Sequence, residues 1–298
     1  MKIAVTGATG FLGWYIVSHL TSRGHRCRCW YRPSSNREGF ERQEKQIEWV
    51  SGELGDRQAA RNLVGGCDAV VHAALYHRSG GFRGAEGDLP DFAEKNILGT
   101  LQLIEAARQA GVGRFVFIST CAVHEVILDD RPLDETHPTW ATSHYGAHKA
   151  AIEQFVYSFG LGEGYPICAL RPTGIYGLAR PVQDSRWFDL VQAVARSEPV
   201  SVRGGGKEVH AADVARAVEI LLTADGIAGQ VYNCYDLYVS QHEVASIAKR
   251  LAGSRSEIRG MAGTPRHQIM TEKLRRLGME FGGRPLLEQT IQQMLDSL

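Results

Sequence analysis

The sequence predicts an α/β fold, a doubly wound parallel sheet followed by a smaller C-terminal lobe. Two observations carry that prediction. From the first residue to about residue 171, short apolar runs alternate with segments of helical periodicity, which is the pattern of βαβ units. The runs are rich in Val, Ile and Ala throughout rather than alternating with polar residues. Strands read that way when helices cover both faces of their sheet.

Each element has its own signal. A strand at 3–6 is apolar and stops at glycine, and a helix at 11–22 follows. Strands at 27–31 and 47–51 are rich in β-forming residues, and 59–64 reads as a short helix. A strand at 69–73 leads to a long helix at 92–110, and a strand at 115–119 to a helix at 143–159. The strand at 167–171 closes this half. Beyond it, 172–206 is rich in Gly, Pro and Arg, with an embedded helix at 186–195. A helix at 212–222 and a strand at 230–234 follow, both expected to pack back on the first domain. Ser240-Gln-His-Glu243 reads as a capping box opening a helix through Leu251. The expected division is 1–171 for the first domain and 172–298 for the lobe.

Bulk properties exclude several classes. The 298 residues suffice for a large core without staples. Net charge is zero with His neutral, so there is no bulk attraction to nucleic acid or an anionic membrane. No apolar run approaches membrane-spanning length, and the first residues read as a core strand rather than a targeting segment. Apolar residues make up 44% and charged residues 22%, ordinary for a soluble protein. Six cysteines are present, mostly in apolar runs. Cys27 and Cys29 point to one face of a strand and lack C-x-x-C spacing, so buried thiols in a reducing cytoplasm are expected. No His/Cys/Asp cluster has metal-ligand spacing.

The first chemical signal is Thr6-Gly-Ala-Thr-Gly-Phe-Leu-Gly13, between the first strand and its helix. Gly7, Gly10 and Gly13 there permit close backbone approach to a phosphate. The helix N-terminus supplies free N–H groups and a positive dipole end. A tight strand-to-helix turn with no ligand is the alternative. The second signal is Tyr145-Gly-Ala-His-Lys149. Tyr145 and Lys149, four apart on a helix, share one face. A lysine cation beside a tyrosine lowers a phenol pKa that is otherwise near 10. Ser119-Thr120 ends a strand where ligands bind in open parallel sheets, although a simple strand-end turn also explains it.

Together these segments resemble the extended short-chain dehydrogenase/reductase family, which includes the nucleotide-sugar epimerases and dehydratases. Asp68-Ala-Val-Val-His72-Ala-Ala, Asn96-Ile-Leu-Gly99-Thr100, Leu170-Arg171-Pro172-Thr173-Gly174-Ile175-Tyr176-Gly177 and Val209-His210-Ala211-Ala212-Asp213-Val214-Ala215 extend the likeness over nearly the whole chain. The resemblance implies a Rossmann-type dinucleotide domain and a substrate-binding lobe. It makes Tyr145 the general acid/base, Lys149 its partner and ribose ligand, and Thr120 the residue that orients the substrate oxygen. Gly7, Gly10, Phe11, Leu12 and Gly13 would cradle the pyrophosphate. Tyr31, Arg32, Glu53, Leu54, Ala73, Ala74, Ser119, Pro172 and Ile175 complete the implied cofactor contacts, with Asn96 as a structural support. The helices at 92–110 and 143–159 imply a homodimer.

The second strand ends in Tyr31-Arg32, not in the acidic residue that binds a ribose 2′-hydroxyl. An arginine suits a 2′-phosphate, with Ser34 or Arg37 assisting, so NADP is favoured over NAD. Arg32 stacking on adenine and tolerating both is the alternative. Cys121-Ala122 replaces the Asp-Glu pair of the family's dehydratases, which argues against dehydration. Gly174 and Lys207-Glu208 depart from the pattern of members that bind sugar nucleotides. Arg180, Arg186 and Arg203 remain candidates for an anionic substrate, or for a solvated face. The 76–89 loop offers Tyr76, His77, Arg78 and Arg83 as substrate contacts on a lid, and Thr173 adjoins them. His124, His144 and His148 read as packing or surface residues. The expected activity is hydride transfer at a secondary alcohol or ketone carbon of a sugar-like molecule. A reductase of a non-sugar ketone or aldehyde, similar to the dihydroflavonol-reductase branch, is the first alternative. A non-catalytic NADP sensor is the second.

Overall fold

A computed structural model describes residues 1–77, 84 and 86–298. The elements in order are β1 (Lys2–Thr6), α1 (Phe11–Ser22), β2 (Arg26–Tyr31), β3 (Ile47–Ser51), α2 (Arg57–Val64), β4 (Ala69–His72), α3 (Leu89–Ala93), α4 (Gly99–Gln109), β5 (Arg114–Ile118), α5 (His144–Tyr157) and β6 (Ile167–Pro172). There follow β7 (Gly174–Tyr176), α6 (Phe188–Ala195), β8 (Val200–Ser201), β9 (Gly205–His210), α7 (Ala211–Thr223), β10 (Gln230–Cys234), β11 (Leu237–Ser240), α8 (Gln241–Ala252), β12 (Ile258–Arg259), α9 (Glu272–Arg275) and α10 (Gly283–Leu295).

The chain divides into two compact units. The first comprises Met1–Pro172, Val214–Cys234 and Met270–Met279. Its described residues form a seven-stranded sheet in the order β10-β6-β5-β4-β1-β2-β3, parallel throughout. Ile3, Val5, Val70, Val71, Val116 and Ile167 are fully buried, so these strands have no polar face to display. From β1 the chain winds outward through β2 and β3, then restarts at β4 on the other side. The order therefore reverses between β1 and β4. Ligands of such sheets bind outside the carboxyl ends of the strands at that reversal. Here those ends are Thr6-Gly7 and His72-Ala73.

Local signals set the helix boundaries. Asp56 caps α2 by accepting from the N–H groups of Gln58 and Ala59, both at 2.9 Å. Asp88 caps α3, with Pro90 in its first turn. Ser143 caps α5 by accepting from Gly146 N–H at 3.0 Å. The helix read at 92–110 begins earlier, at Leu89, and carries a π-helical turn at Glu94–Leu98 before α4. The helix read at 143–159 becomes α5 plus a π turn at Ser158–Gly162. The helical period of the sequence gives no warning of either wider turn. Of the 76–89 loop, residues 78–83 and 85, including Arg78 and Arg83, lie outside the described residues.

The second unit comprises Thr173–Asp213, Tyr235–Ile269 and Glu280–Leu298. It has a three-stranded sheet, β11-β9-β7, and the pair β12-β8. Tyr176, Val191, Val239, Val244, Leu287, Ile291 and Met294 form its core. Ser240 caps α8 by accepting from Glu243 N–H at 3.0 Å. The returning half of the expected box is diverted, because the Glu243 carboxylate takes Arg284 Nε at 2.7 Å. No helix among the described residues is long and apolar enough to cross a membrane.

Candidate active site

The glycine turn is built by close approach. Gly7 has φ +71°, and a Cβ there would lie 2.7 Å from the Ala73 carbonyl carbon and the Ala74 nitrogen. Only glycine meets both conditions. Gly10 N–H donates to Gly7 O at 3.0 Å, closing a turn that delivers the chain to α1. A Cβ on Gly13 would overlap Gly7 O, so α1 rests directly on that turn. The residue separating this motif from G-x-G-x-x-G is absorbed by the Gly7–Gly10 turn. Gly10 caps α1 without a side-chain hydrogen bond, and the first turn holds no acidic residue. Among the described residues, no side chain competes for the N–H groups of Phe11, Leu12 and Gly13 or for the helix dipole. The turn fits an anionic pyrophosphate.

Beside it, Ala73 and Ala74 follow β4, and Tyr76 is clamped from α3 and the π turn after it. Asn96 Oδ1 accepts from Tyr76 N–H at 2.8 Å, and Asn96 Nδ2 donates to Tyr76 O at 2.9 Å. The Tyr76 hydroxyl donates to Asp91 Oδ2 at 2.6 Å. Tyr76, read as a substrate contact, thus spends its polar atoms on the protein, while His77 is exposed.

At the end of β5, the Thr120 side chain caps a short turn by accepting from Ala122 N–H at 3.1 Å, which leaves its hydroxyl proton to donate. A Cβ on Gly146 would lie 2.7 Å from Ala122 O and 2.8 Å from Ala141 Cβ. The first turn of α5, which carries Tyr145, is therefore pressed against the turn that carries Thr120. Gly146→Ala should force these turns apart and cost about 1–3 kcal/mol of stability, as overpacking does. A lower Tm together with a lower kcat is the expected result, read by thermal unfolding and steady-state assay.

One helical turn after Tyr145, Lys149 is 5% exposed. Its Nζ donates to Ile118 O at 2.7 Å and lies 4.6 Å from the centre of the Phe117 ring. Burial pushes the ammonium pKa down to about 7, against a weaker upward pull from Glu153. His148 precedes Lys149 on the same helix. Its ring meets Tyr145 edge-on at 5.5 Å and Phe92 at 5.0 Å. Burial, with Lys149 adding to it, pushes His148 down to about 3.

Beneath these residues lies an ion pair that the sequence reading missed. Glu153 Oε2 accepts from Arg171 Nη2 at 2.6 Å, and Oε1 accepts from Arg171 Nε at 2.9 Å. Both side chains are 1% exposed. Ser119, read as a cofactor contact, turns its hydroxyl to Glu153 Oε1 at 2.5 Å. Arg171 also donates to His124 Nε2 at 3.1 Å. Burial, then the Arg171 charge, pushes His124 down to about 4. The Cys121 thiol, in contact with Arg171 O at 2.9 Å, is raised by burial to about 12 and remains protonated. The signal for the pair was present: Glu153 follows Lys149 by one turn, and Arg171 ends an otherwise apolar strand.

His72, at about 3 for reasons of burial first and then Lys149, joins His124 and His148 as buried neutral imidazoles. Their folded pKa values lie below the 6.5 of an unfolded chain. The stability they contribute is whole above pH 6.5 and drains away as pH falls toward 4 and 3. Denaturant midpoints should drop steeply across that window, and less steeply in His148→Phe.

At the end of β2, Tyr31 stands where a carboxylate was absent from the sequence. The Arg37 guanidinium lies over its ring, 4.6 Å from the centre, and 5.8 Å from the centre of Trp49. Arg32 is exposed on a turn in which its N–H donates to Ser35 Oγ at 2.9 Å and its carbonyl accepts from Ser35 N–H at 2.8 Å. After β3, Glu53 is exposed and Leu54 is buried. Leu54 rests on Gly99, where a Cβ would lie 3.3 Å from it. Pro172 is the last residue of β6, and buried.

The remaining candidates belong to the second unit. Ile175 pairs with Val209 between β7 and β9. The Thr173 hydroxyl is buried without a partner among the described residues. Arg180 is exposed. Arg186 does not await an anion: its Nη1 donates to Glu208 Oε2 at 2.8 Å and its Nη2 lies 2.7 Å from Oε1. Burial raises Glu208 to about 7, and Arg186 opposes that rise. Gly174 makes room for this carboxylate, since a Cβ there would overlap Glu208 Oε2.

A family model described as the NAD dependent epimerase/dehydratase family matches residues 3–234. A 4-hydroxy-2-methyl-3-oxo-4-farnesyl-3,4-dihydroquinoline-1-oxide ketoreductase of Stigmatella aurantiaca is 32% identical over 240 residues, 78% of this chain and 67% of its own length. A 2-alkyl-3-oxoalkanoate reductase of Stenotrophomonas maltophilia is 34% identical over 186 residues, 59% of this chain and 52% of its own. The chain spans only about half the length of several such relatives. In fold it is similar to the UDP-glucose 4-epimerase of Thermus thermophilus solved with NAD, at a TM-score of 0.78 and 23% identity over 99% of this chain and 98% of that one. Its relatives include oxidoreductases, dehydratases and epimerases. The chain belongs to the NAD dependent epimerase/dehydratase family and is an enzyme of that family.

Proposed function

We propose that the chain is an NADP(H)-dependent oxidoreductase that interconverts a ketone or aldehyde and its alcohol, acting on a non-sugar substrate. The observation that carries the chemistry is Lys149, a buried cation fixed to Ile118 O at 2.7 Å, one turn from Tyr145. A nicotinamide dinucleotide, when bound, supplies or accepts the hydride. The N–H groups after Gly10 hold its pyrophosphate, and the segment 73–74 lines it. Tyr145 delivers its phenolic proton to the carbonyl oxygen, and the Lys149 cation stabilises the phenolate left behind. Thr120 donates its hydroxyl proton to the same oxygen and orients it. In the reverse direction Tyr145 takes that proton back.

Arg37, stacked on Tyr31, and the exposed Arg32 favour a dinucleotide with a 2′-phosphate, since both are cations and β2 ends without a carboxylate. Two features bear on the substrate. Arg186 is paired with Glu208, and Gly174 with Lys207-Glu208 departs from the sugar-nucleotide pattern, which moves the substrate away from a sugar nucleotide. Cys121-Ala122 offers no acid and base for water loss, which argues against dehydration. Two relatives named as ketone reductases agree with this reading. The sugar reading retains the fold likeness to an epimerase and a 30% identical UDP-glucose 4-epimerase of Rhizobium meliloti.

The test is direct. Protein denatured after purification should release NADP(H) or nothing, and the enzyme should oxidise NADPH with apolar ketones. Tightly bound NAD, together with turnover of a UDP-sugar, would overturn the proposal in favour of epimerisation.

A further inference from the structure

His72 is buried at 1% exposure and plays no part in the proton transfer above. Its two nitrogens lie in one chain of hydrogen bonds whose direction is fixed from both ends. At one end, Ala74 N–H donates to Thr6 Oγ1 at 3.2 Å. That hydroxyl is 2.6 Å from His72 Nδ1. At the other end, the Thr100 hydroxyl donates to Asn96 O at 2.6 Å, because a carbonyl only accepts. Thr100 Oγ1 must therefore accept from His72 Nε2, which lies 2.8 Å away. His72 is thus the Nε2–H tautomer, and its free Nδ1 takes the Thr6 proton. Asn96 then holds the Tyr76 N–H and carbonyl through its side chain. Thr6, Thr100 and Asn96 are each 2% exposed or less, so water does not substitute for any of these links.

We propose that His72 is the positioning residue for the segment 73–77, setting through Thr6 and Thr100 the backbone that faces the dinucleotide at Ala73-Ala74. The inference rests on the dinucleotide reading above. Three elements, β1, β4 and the π turn ahead of α4, are tied by a single ordered run of protons. The chain grips the segment at Ala74 and again at Tyr76. A neutral imidazole is required, since a proton on Nδ1 would leave Thr6 Oγ1 facing two donors with nothing to receive its own hydrogen. Burial keeps the ring neutral. Thr6, Thr100 and the rings of Phe115 and Phe117 face it, the Lys149 charge acts on it, and the titratable His148 is near enough to interact with it.

Thr100→Val cuts the chain at constant volume, Thr6→Val cuts it on the other side of the ring, and Thr100→Ser restores the hydroxyl. Amide hydrogen exchange reads the segment, and titration with NADP and with NAD reads the site. Both valine variants should lose protection at Ala74, and Thr100→Val also at Tyr76. Their dinucleotide Kd should rise about tenfold, the scale of one buried hydrogen bond, while kcat at saturation stays within about threefold. Thr100→Ser should recover both. Unchanged protection in folded valine variants overturns the proposal, as does lost protection with unchanged Kd, or a serine variant as impaired as valine. Wild-type protein that binds neither dinucleotide overturns instead the functional reading on which the proposal rests, and shows this before any variant is made.

Discussion

Tyr145→Phe is expected to lower kcat by about three orders of magnitude or more while leaving dinucleotide affinity within a few-fold. Positioned acid/base groups contribute roughly 10²–10⁴ in rate. Here the phenol has no evident substitute among the described residues around it. The Cys121 thiol, at about 12, holds its proton too tightly, and His124 and His148, at about 4 and 3, are neutral near pH 7 and lack the imidazolium proton a general acid would give. Phe keeps the ring that meets His148 edge-on, so the site should not collapse. The pH profile adds a second reading. The Lys149 cation that stabilises the phenolate is lost as pH rises through about 7, because burial has lowered its pKa from 10.5. Turnover should therefore fall on the alkaline side of about pH 7, with the apparent value belonging to the Tyr145–Lys149 pair. Steady-state kinetics from about pH 5.5 to about pH 9, spanning both limbs of such a profile, on wild type, Tyr145→Phe and Lys149→Met check this. Wild-type activity undiminished at the alkaline end, or substantial turnover by Tyr145→Phe, would sink the mechanism.

The difference between what was legible in the sequence and what was not is one of range. The inner strands β1, β4, β5 and β6 are mostly apolar runs, a local signal, while β2, β3 and β10 mix in polar residues, and all seven strands lie within a residue or two of their expected places. The glycine turn was equally local, since spacing alone demands close approach. Short polar strands carry no such signal. β9 reads Gly-Gly-Lys-Glu-Val-His and becomes a strand only because β7 and β11 pair with it from distant parts of the chain. Side-chain partners were the least legible. Arg186, read as a candidate for an anionic substrate, is bound to Glu208, and Ser119, read as a cofactor contact, serves Glu153. In both cases the residue type suggested a ligand, and a buried carboxylate supplied by the fold took its place. Asn96 and Thr100 stand out in the sequence as parts of one motif, but the imidazole that links Thr100 to Thr6 is set by the pairing of β1 with β4.

Glu153→Gln should be the most damaging substitution outside the proton-transfer residues, costing about 3–5 kcal/mol of stability. That is the usual loss when one partner of a buried ion pair is removed and the other charge remains. Arg171 cannot escape by deprotonating, since a guanidinium holds its proton in any protein. Nor can it reach water, at 1% exposure. The amide of Gln still accepts one hydrogen bond, but it carries no charge and presents donors to Arg171 Nε or Nη2. Arg171→Met in the Glu153→Gln background should recover part of the loss, because the stranded charge is gone. Denaturant unfolding of the four proteins of that cycle yields the coupling between the two sites. The substitution should also reach the chemistry. Glu153 raises the Lys149 pKa against burial. Without it the ammonium gives up its proton at lower pH, so the alkaline limb of the activity profile should move downward from about 7. A variant that loses stability with an unmoved limb would confine the ion pair to a scaffolding role. A shift shared by Glu153→Gln and by the double variant would show that the carboxylate charge, and not the packing around Arg171, sets the working range of Tyr145 and Lys149.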